Sequence, residues 1–265
     1  MAITALHSAA SGMKAMDTQL DVIANNLANS STTGFKAQRA NFEDLFYEAR
    51  RQPGSLNSLG QRTSSGLFVG LGTRLSGTQF DMANGSPEQT GGETDIAING
   101  PGFFKVKTFD SIGKGEAYTR DGNFHRNEQG QLVLGTTDGP LLDPTITISS
   151  EATEVTISSD GVVSEMVGGT VSEIGQIQLY RFANPQGLRL EGGNLLTETE
   201  ASGTPISGNP RDVGFGGLLQ KSLETSNVDP VKELVNMIRT QRSFELNSQS
   251  IQAADENLQV ISRLR

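Results

Sequence analysis

Cysteine is absent from the chain. Disulfide scaffolds, thiolate metal sites and cysteine nucleophiles are thereby excluded together. Histidine is nearly as scarce, with His7 on an expected helix face and His125 in an expected strand, so a His-based metal site or catalytic triad would need two isolated residues to meet. Positive charge is short as well: 21 Lys and Arg against 30 Asp and Glu leave a net charge of −9 and a pI near 4.8. Nucleic-acid affinity comes from Lys and Arg that displace phosphate counterions, and no basic stripe supplies them, so no nucleic-acid partner is expected. Nor does any stretch approach the ~20 apolar residues that cross a bilayer as a helix. Residues 1–16 lack the basic n-region and apolar core of a cleaved Sec-type signal. By these rules the chain reads as cytoplasmic, unless export uses an uncleaved signal.

The glycine-rich turns do not build a phosphate cradle. Gly100-Pro101-Gly102 lacks the third glycine and the following helix of a dinucleotide fingerprint, and no Lys-Ser/Thr pair follows Gly70-Leu71-Gly72. Gly91-Gly92-Glu93-Thr94-Asp95 is neither repeated nor part of an EF-hand pattern, so calcium is not expected. Acidic residues are numerous, but none lies in an apolar run that would raise its pKa toward general-acid work. Glu43-Asp44, between Phe42 and Leu45-Phe46, reads as a solvated face beside a packing face. No catalytic residue, cofactor site or metal site is expected.

What the chain does have is glycine and periodicity. With 31 Gly and 35% apolar residues, turns should be many and the core modest. Leu6, Met13, Leu20 and Leu27 recur every seven residues, and Ala2, Ala9, Met16 and Ile23 recur at the complementary position, which is a coiled-coil seam. Such a helix, alone in water, is marginal and needs something to lie against. At the far end Asp229 can cap a helix that opens with Pro230. There Val231, Leu234, Val235 and Ile238 form one apolar patch, and Phe244, Ile251 and Leu258, with Ala254 and Ile261, form a second. The two are out of phase, so the helix changes the neighbour it faces along its length.

The middle of the chain reads as short strands. Asp121-Gly122 and Asp160-Gly161 are each flanked by alternating segments and each signal a hairpin. Further strands are expected at 95–98, 103–107, 132–134, 145–148 and 176–182. Between helix and strands, 52–77 has linker composition but carries Pro53, Leu56, Leu59, Leu67 and Phe68, too many apolar groups for a solvated tether. The expected fold is α+β: long terminal helices at 1–29 and 228–265 forming a coiled-coil-like layer, a connecting segment at 30–77 with an extended ordered linker, and an all-β domain at 78–225. Pattern alone leaves open a helical hairpin inside one globular domain, a soluble ligand-binding β-domain, and a hydrolase that gathers two carboxylates in a cleft.

One segment escapes periodicity: Asn25, Asn26, Leu27 and Asn29 close the first helix and lead into Thr33-Gly34-Phe35-Lys36. It closely resembles the signature of the bacterial flagellar rod, hook and hook-associated proteins. The resemblance continues through 95–104, 118–124, 224–228 and 233–238 and so spans nearly the whole chain. Phe42-Glu43-Asp44-Leu45, then Arg51-Gln52-Pro53-Gly54 and the Leu/Ser-rich stretch, resemble the distal-rod branch of that family; a proximal rod or hook subunit is the alternative. The opening Met1-Ala2-Ile3-Thr4 departs from the family's more basic start.

The resemblance implies a structural subunit, not an enzyme, exported through the flagellar type III machinery without a cleaved signal and assembled in the periplasm as part of the basal body. Copies would stack helically into a rigid hollow shaft that carries torque between proximal rod proteins and hook protein, inside the P- and L-rings. The expected subunit interface is Leu6, Met13, Met16, Leu20, Ile23 and Leu27 on the first helix. On the second it is Leu234, Ile238, Phe244, Ile251, Leu258 and Ile261.

Overall fold

The structure, a computed structural model, describes residues 2–54, 62, 64–108, 113–135 and 139–263. Leu56, Leu59 and the side chain of Ile261 lie outside the described residues. The chain forms an N-terminal helix, a β-rich middle and a C-terminal helix, an α+β fold, and divides into two compact units.

The first unit combines residues 1–28, 38–79 and 229–265. Helix α1 spans Ala2–Ala28 and helix α2 spans Pro230–Arg263. Asp229 caps α2 as its sequence position implies: its Oδ1 accepts the amides of Val231 at 3.0 Å and Lys232 at 3.2 Å. The two helices pack on each other. Gly12 of α1 faces Asn247 so closely that an added Cβ would lie 3.1 Å from Asn247 Nδ2. Strand Gln38–Asp44 pairs with Thr73–Phe80, and Tyr47–Arg51 pairs antiparallel with Leu67–Gly70. This arm is tied to α1 at Leu71 O, 3.0 Å from His7 Nδ1, and at the Thr73 amide, which donates to Ser11 Oγ at 3.2 Å. At Gly72, with φ +112°, a side chain would run into Ser11.

The second unit combines residues 29–37 and 80–228. Its main sheet is antiparallel and seven-stranded, in the order Arg189–Gly192, Leu195–Thr197, Glu116–Thr119, Phe104–Lys107, Leu141–Asp143, Leu132–Leu134, Phe124–Arg126. A three-stranded meander (Glu154–Ile157, Val162–Val167, Thr170–Gln176) and three two-stranded pairs complete the unit. The core gathers Ile96, Phe104, Val106, Phe124, Leu132, Leu142, Ile177, Leu179 and Leu218, with the Phe104 and Phe124 rings edge to face at 5.2 Å.

Several local expectations change. Asp121-Gly122 makes no hairpin: Glu116–Thr119 pairs with Phe104–Lys107, while Phe124–Arg126 pairs with Leu132–Leu134. Neither residue has the positive φ of a type I′ turn. Glycine is required at 122 because a Cβ there would collide with the Ile96 carbonyl. The Asp160-Gly161 hairpin is present, with Ile157 opposite Val163 and φ +85° at Gly161. Residues 145–148 make one isolated bridge, Gln131 to Thr147, and no strand, although Ile146 and Ile148 are buried. The stretch 176–182 is interrupted at 177–178: the meander strand ends at Gln176, and Leu179–Arg181 pairs instead with Ile206–Gly208 in a separate sheet. The segment expected as an extended linker contains strand Leu67–Gly70 and the start of Thr73–Phe80, whose ladders satisfy backbone groups a tether would leave to water.

Candidate assembly surface and anchored signature

Most of the buried residues on the two packed helices are small or polar. Ala9, Gly12, Ala15, Ile23 and Asn26 are buried on α1, and Thr240 and Ala254 on α2. At ~100° per residue, Val231, Leu234, Val235 and Ile238 fall on the face of α2 roughly opposite the Thr240, Asn247 and Ala254 line. They are correspondingly open: 70%, 46%, 42% and 53% exposed. Phe244 and Leu258 flank the contact as exposed residues and Ile251 as a half-buried one, so the two sequence stripes face different surroundings. On α1, Leu6, Met13, Met16, Leu20 and Leu27 are half-buried and Ile23 is fully so. Leu67 and Phe68 of the arm are open, and Pro53 is exposed in a turn.

The signature is held differently. Asn26 is buried and works as a false strand residue. Its Oδ1 accepts the Gln38 amide at 2.9 Å and its Nδ2 donates to the Gln38 carbonyl at 2.7 Å. Asn25 is exposed and Leu27 half-buried. At Asn29 the chain turns: the Thr32 hydroxyl donates to Asn29 Oδ1 at 3.1 Å. Gly34, at φ +67°, leaves no room for a Cβ against the Arg120–Asp121 backbone and donates its amide to Glu224 O at 2.8 Å. Thr33 O accepts from Asn194, whose Nδ2 also reaches Asp121 Oδ2 at 3.1 Å. Phe35 is half-buried, and its carbonyl accepts the Asn227 amide.

Lys36 ends the signature in a buried ionic cluster. Its Nζ donates to Glu224 Oε1 at 2.6 Å and to Ala83 O at 2.8 Å. Glu224 Oε1 also accepts the Gly85 amide, and its Oε2 accepts Arg120 Nη1 at 3.2 Å. Arg120 Nη2 donates to Gly100 O at 2.8 Å, and its guanidinium lies 5.4 Å from the Phe103 ring centroid. Burial pushes the Lys36 ammonium below its ordinary range, and Glu224 only partly offsets this; burial depresses Arg120 likewise. Burial also raises the Asp121 carboxyl, against the hydrogen bonds from Asn194 and the Asn123 amide. These pairings leave the carboxylate saturated with donors, an arrangement that holds three distant chain segments together. Neither Arg120 nor Glu224 is recognisable from spacing, since residues 36, 120 and 224 meet only in the folded unit.

Comparison with known proteins follows this division. The family described as "Flagella basal body rod protein" matches residues 6–36, "Flagellar hook protein FlgE/F/G D1 domain" matches 97–165, and "Flagellar basal body rod FlgEFG protein C-terminal" matches 219–264. The flagellar basal-body rod protein FlgG of Buchnera aphidicola (Acyrthosiphon pisum) is 44% identical over 264 residues, covering 99% of this chain and 100% of its own. That of Caulobacter vibrioides is 44% identical over 265 residues, covering 98% and 99%. The chain belongs to the flagellar basal-body rod protein FlgG family. The corresponding protein of Bacillus subtilis is 40% identical over 270 residues, covering 99% of both chains. The solved Helicobacter pylori flagellar hook protein FlgE2 gives a TM-score of 0.25 at 17% identity. It covers 71% of this chain, which spans 43% of that one, a likeness too weak to bear on the fold.

As a rod-family chain, the protein is a structural component of the flagellar basal body and assembles with other basal-body components; no enzymatic family is indicated. The three matched segments of this FlgG relative coincide with α1 and its signature, with the central strands, and with the Glu224 strand followed by α2.

Proposed function

We propose that the chain is the subunit of the distal rod, polymerising helically into a rigid hollow drive shaft that passes motor torque to the hook. One observation carries the polymer reading: α2 turns its large apolar side chains away from α1. Covering the open parts of Val231, Leu234, Val235 and Ile238 would add on the order of 4 kcal/mol per copy before ordering costs, a driving force suited to lateral packing of copies. A helical rod requires this contact to be heterologous and not to close into a ring. In this reading the terminal helices, 1–29 and 228–265, form the inner tube, with Leu6, Met13, Leu20, Leu234, Ile238 and Phe244 among the interface residues. The β-rich unit faces outward. Pro53, Leu56, Leu59, Leu67 and Phe68 stiffen the tube by packing on neighbouring copies. The partners are further copies, proximal rod proteins, hook protein, the P- and L-rings, and the type III export machinery that delivers the chain to the periplasm.

The test is a double substitution, Leu234→Asp with Ile238→Asp. Both positions are open in the folded chain, so the purified subunit should keep its helical circular dichroism and melting temperature. Cells carrying it as their sole copy should yield basal bodies without a distal rod or hook by electron microscopy. Normal rods in those cells would remove this face from the assembly.

A further inference from the structure

A cavity of about 300 Å³ opens between Met82, Pro101, Phe103, Arg120, Arg181 and Pro185. Its wall is apolar and aromatic. Arg120 sits against the Phe103 ring with its Nε lacking a hydrogen-bond partner, and the exposed Arg181 lies at 5.8 Å from the Phe215 ring. Apolar walls with guanidinium groups at hand suit an aromatic side chain accompanied by a carboxylate.

The same chain carries such a group. Phe46 is 88% exposed, the most open aromatic among the described residues. It is not on a loose loop: the Leu45 amide donates to Gly72 O at 2.8 Å and the Leu71 amide donates to Phe46 O at 3.1 Å, so the backbone on both sides is fixed. Asp44 precedes it by two residues, so an aromatic ring and a carboxylate stand together; Glu48, two residues on, is paired with Arg50 at 3.8 Å. Glu43 is engaged by Arg74 and Ser76, and Asp44 accepts from the Tyr47 hydroxyl. Phe68, 52% exposed, lies between Leu67 and Val69 and offers no charge to a basic rim.

We propose that in the assembled rod Phe46 of one copy seats in the Met82–Phe103–Arg181 cavity of a second copy, with Asp44 of the first pairing Arg181 of the second at the rim. A buried aromatic anchor ringed by complementary charge is the usual composition of an interface hot spot. Knob and cavity are different surfaces, so the contact can run head to tail from copy to copy, as a helical polymer requires, provided it is not reciprocated within one pair. The inference rests on the rod reading above.

The absence of native cysteine makes the contact directly testable. Basal bodies are isolated from cells whose sole copy is Phe46→Cys with Met82→Cys, oxidised, and run on non-reducing denaturing gels. A ladder of covalent dimers, trimers and longer species is expected, whereas Phe46→Cys with the fully exposed Val213→Cys should stay monomeric. Monomer alone from intact rods, or an equal ladder from the Val213 pair, overturns the contact while leaving the rod reading in place. Unmodified basal bodies that lack this protein altogether would instead overturn the rod reading. Should the cysteine variant fail to assemble, Asp44→Lys and Arg181→Glu decide the matter: each alone should abolish swimming and the pair should restore it. Failure of the pair to restore motility overturns the contact.

Discussion

Glu224→Ala should be the most damaging single truncation in the β-rich unit that leaves the apolar core untouched. The carboxylate is 2% exposed and accepts Lys36 Nζ at 2.6 Å, the Gly85 amide at 2.9 Å and Arg120 Nη1 at 3.2 Å. Without it two cations, 8% and 6% exposed, are left facing each other out of reach of water. An uncompensated buried charge of this kind costs about 3–5 kcal/mol. At about 2–4 °C per kcal/mol for a unit of this size, the melting temperature should fall by roughly 6–20 °C. Lys36→Met should be milder, because the cluster holds two cations against one carboxylate. Arg120 and Gly85 still satisfy Glu224, and Ala83 O still accepts Asn227 Nδ2 at 3.1 Å. That leaves roughly 1–2 kcal/mol for the lost hydrogen bonds. The double variant should melt above Glu224→Ala alone, since removing Lys36 removes one of the stranded charges. Calorimetry on the dilute purified chain measures all three, with Glu43→Gln as the control: its partner Arg74 is solvated, so its melting temperature should not move. The reasoning fails if Glu224→Ala melts within about 2 °C of the parent, or if Lys36→Met is the more damaging change.

Two further outcomes follow from the same geometry. Burial raises the folded-state pKa of Asp121 above its unfolded value, so the folded chain binds the proton more tightly. The resulting stability is complete below the ordinary aspartate range and is lost as pH rises through the raised pKa. Melting temperature relative to Asp121→Asn should therefore fall with rising pH across that window and be flat on either side; a difference that grows with pH contradicts this. In the arm, Leu67→Ser with Phe68→Ser removes two open apolar side chains from a strand edge. Rods should still form, but with a shorter persistence length by cryo-electron microscopy, and unchanged stiffness would sink the proposed role of this segment.

The helices were legible because they are long and strongly signalled. The heptad stripe and the Asp229-Pro230 start place them at nearly the residues observed, Ala2–Ala28 and Pro230–Arg263. The strands were legible one by one, but their pairing was not. At Asp121-Gly122 a turn signal that depends on positive φ belongs instead to a glycine needed for close approach to Ile96 O, a tertiary fact that no local pattern carries. The ionic cluster is hidden for the same reason: a lysine, an arginine and a glutamate on three remote segments look like ordinary surface charges until the chain brings them within hydrogen-bonding distance. The arm has a Gly-, Ser- and Thr-rich linker composition with more apolar groups than a solvated tether carries, and its ends hold enough strand-forming residues to pair.

The two units differ in where their stability comes from. The β-rich unit encloses Phe104, Phe124, Leu142 and Ile177 with no exposed area, and each is covered by neighbours in its own chain. The helical unit closes over Ala9, Ala15, Ile23 and Ala254 and a line of small polar residues, while Val231, Leu234, Val235, Ile238, Leu246 and Val260 stay open. Small side chains bring helices close but bury little area, so this pair by itself gains little of the hydrophobic stabilisation its length could supply. A surface of that kind gains stability from whatever covers it, and its apparent stability rises with the concentration of the covering partner. Substitutions should accordingly sort into two classes. Those in the β-rich core or its ionic cluster lower the melting temperature of the single chain, whereas those on the outer face of α2 leave it unchanged and act only when copies meet. A helical pair left open on one face is suited to being completed by neighbouring copies in a polymer of heterologous contacts.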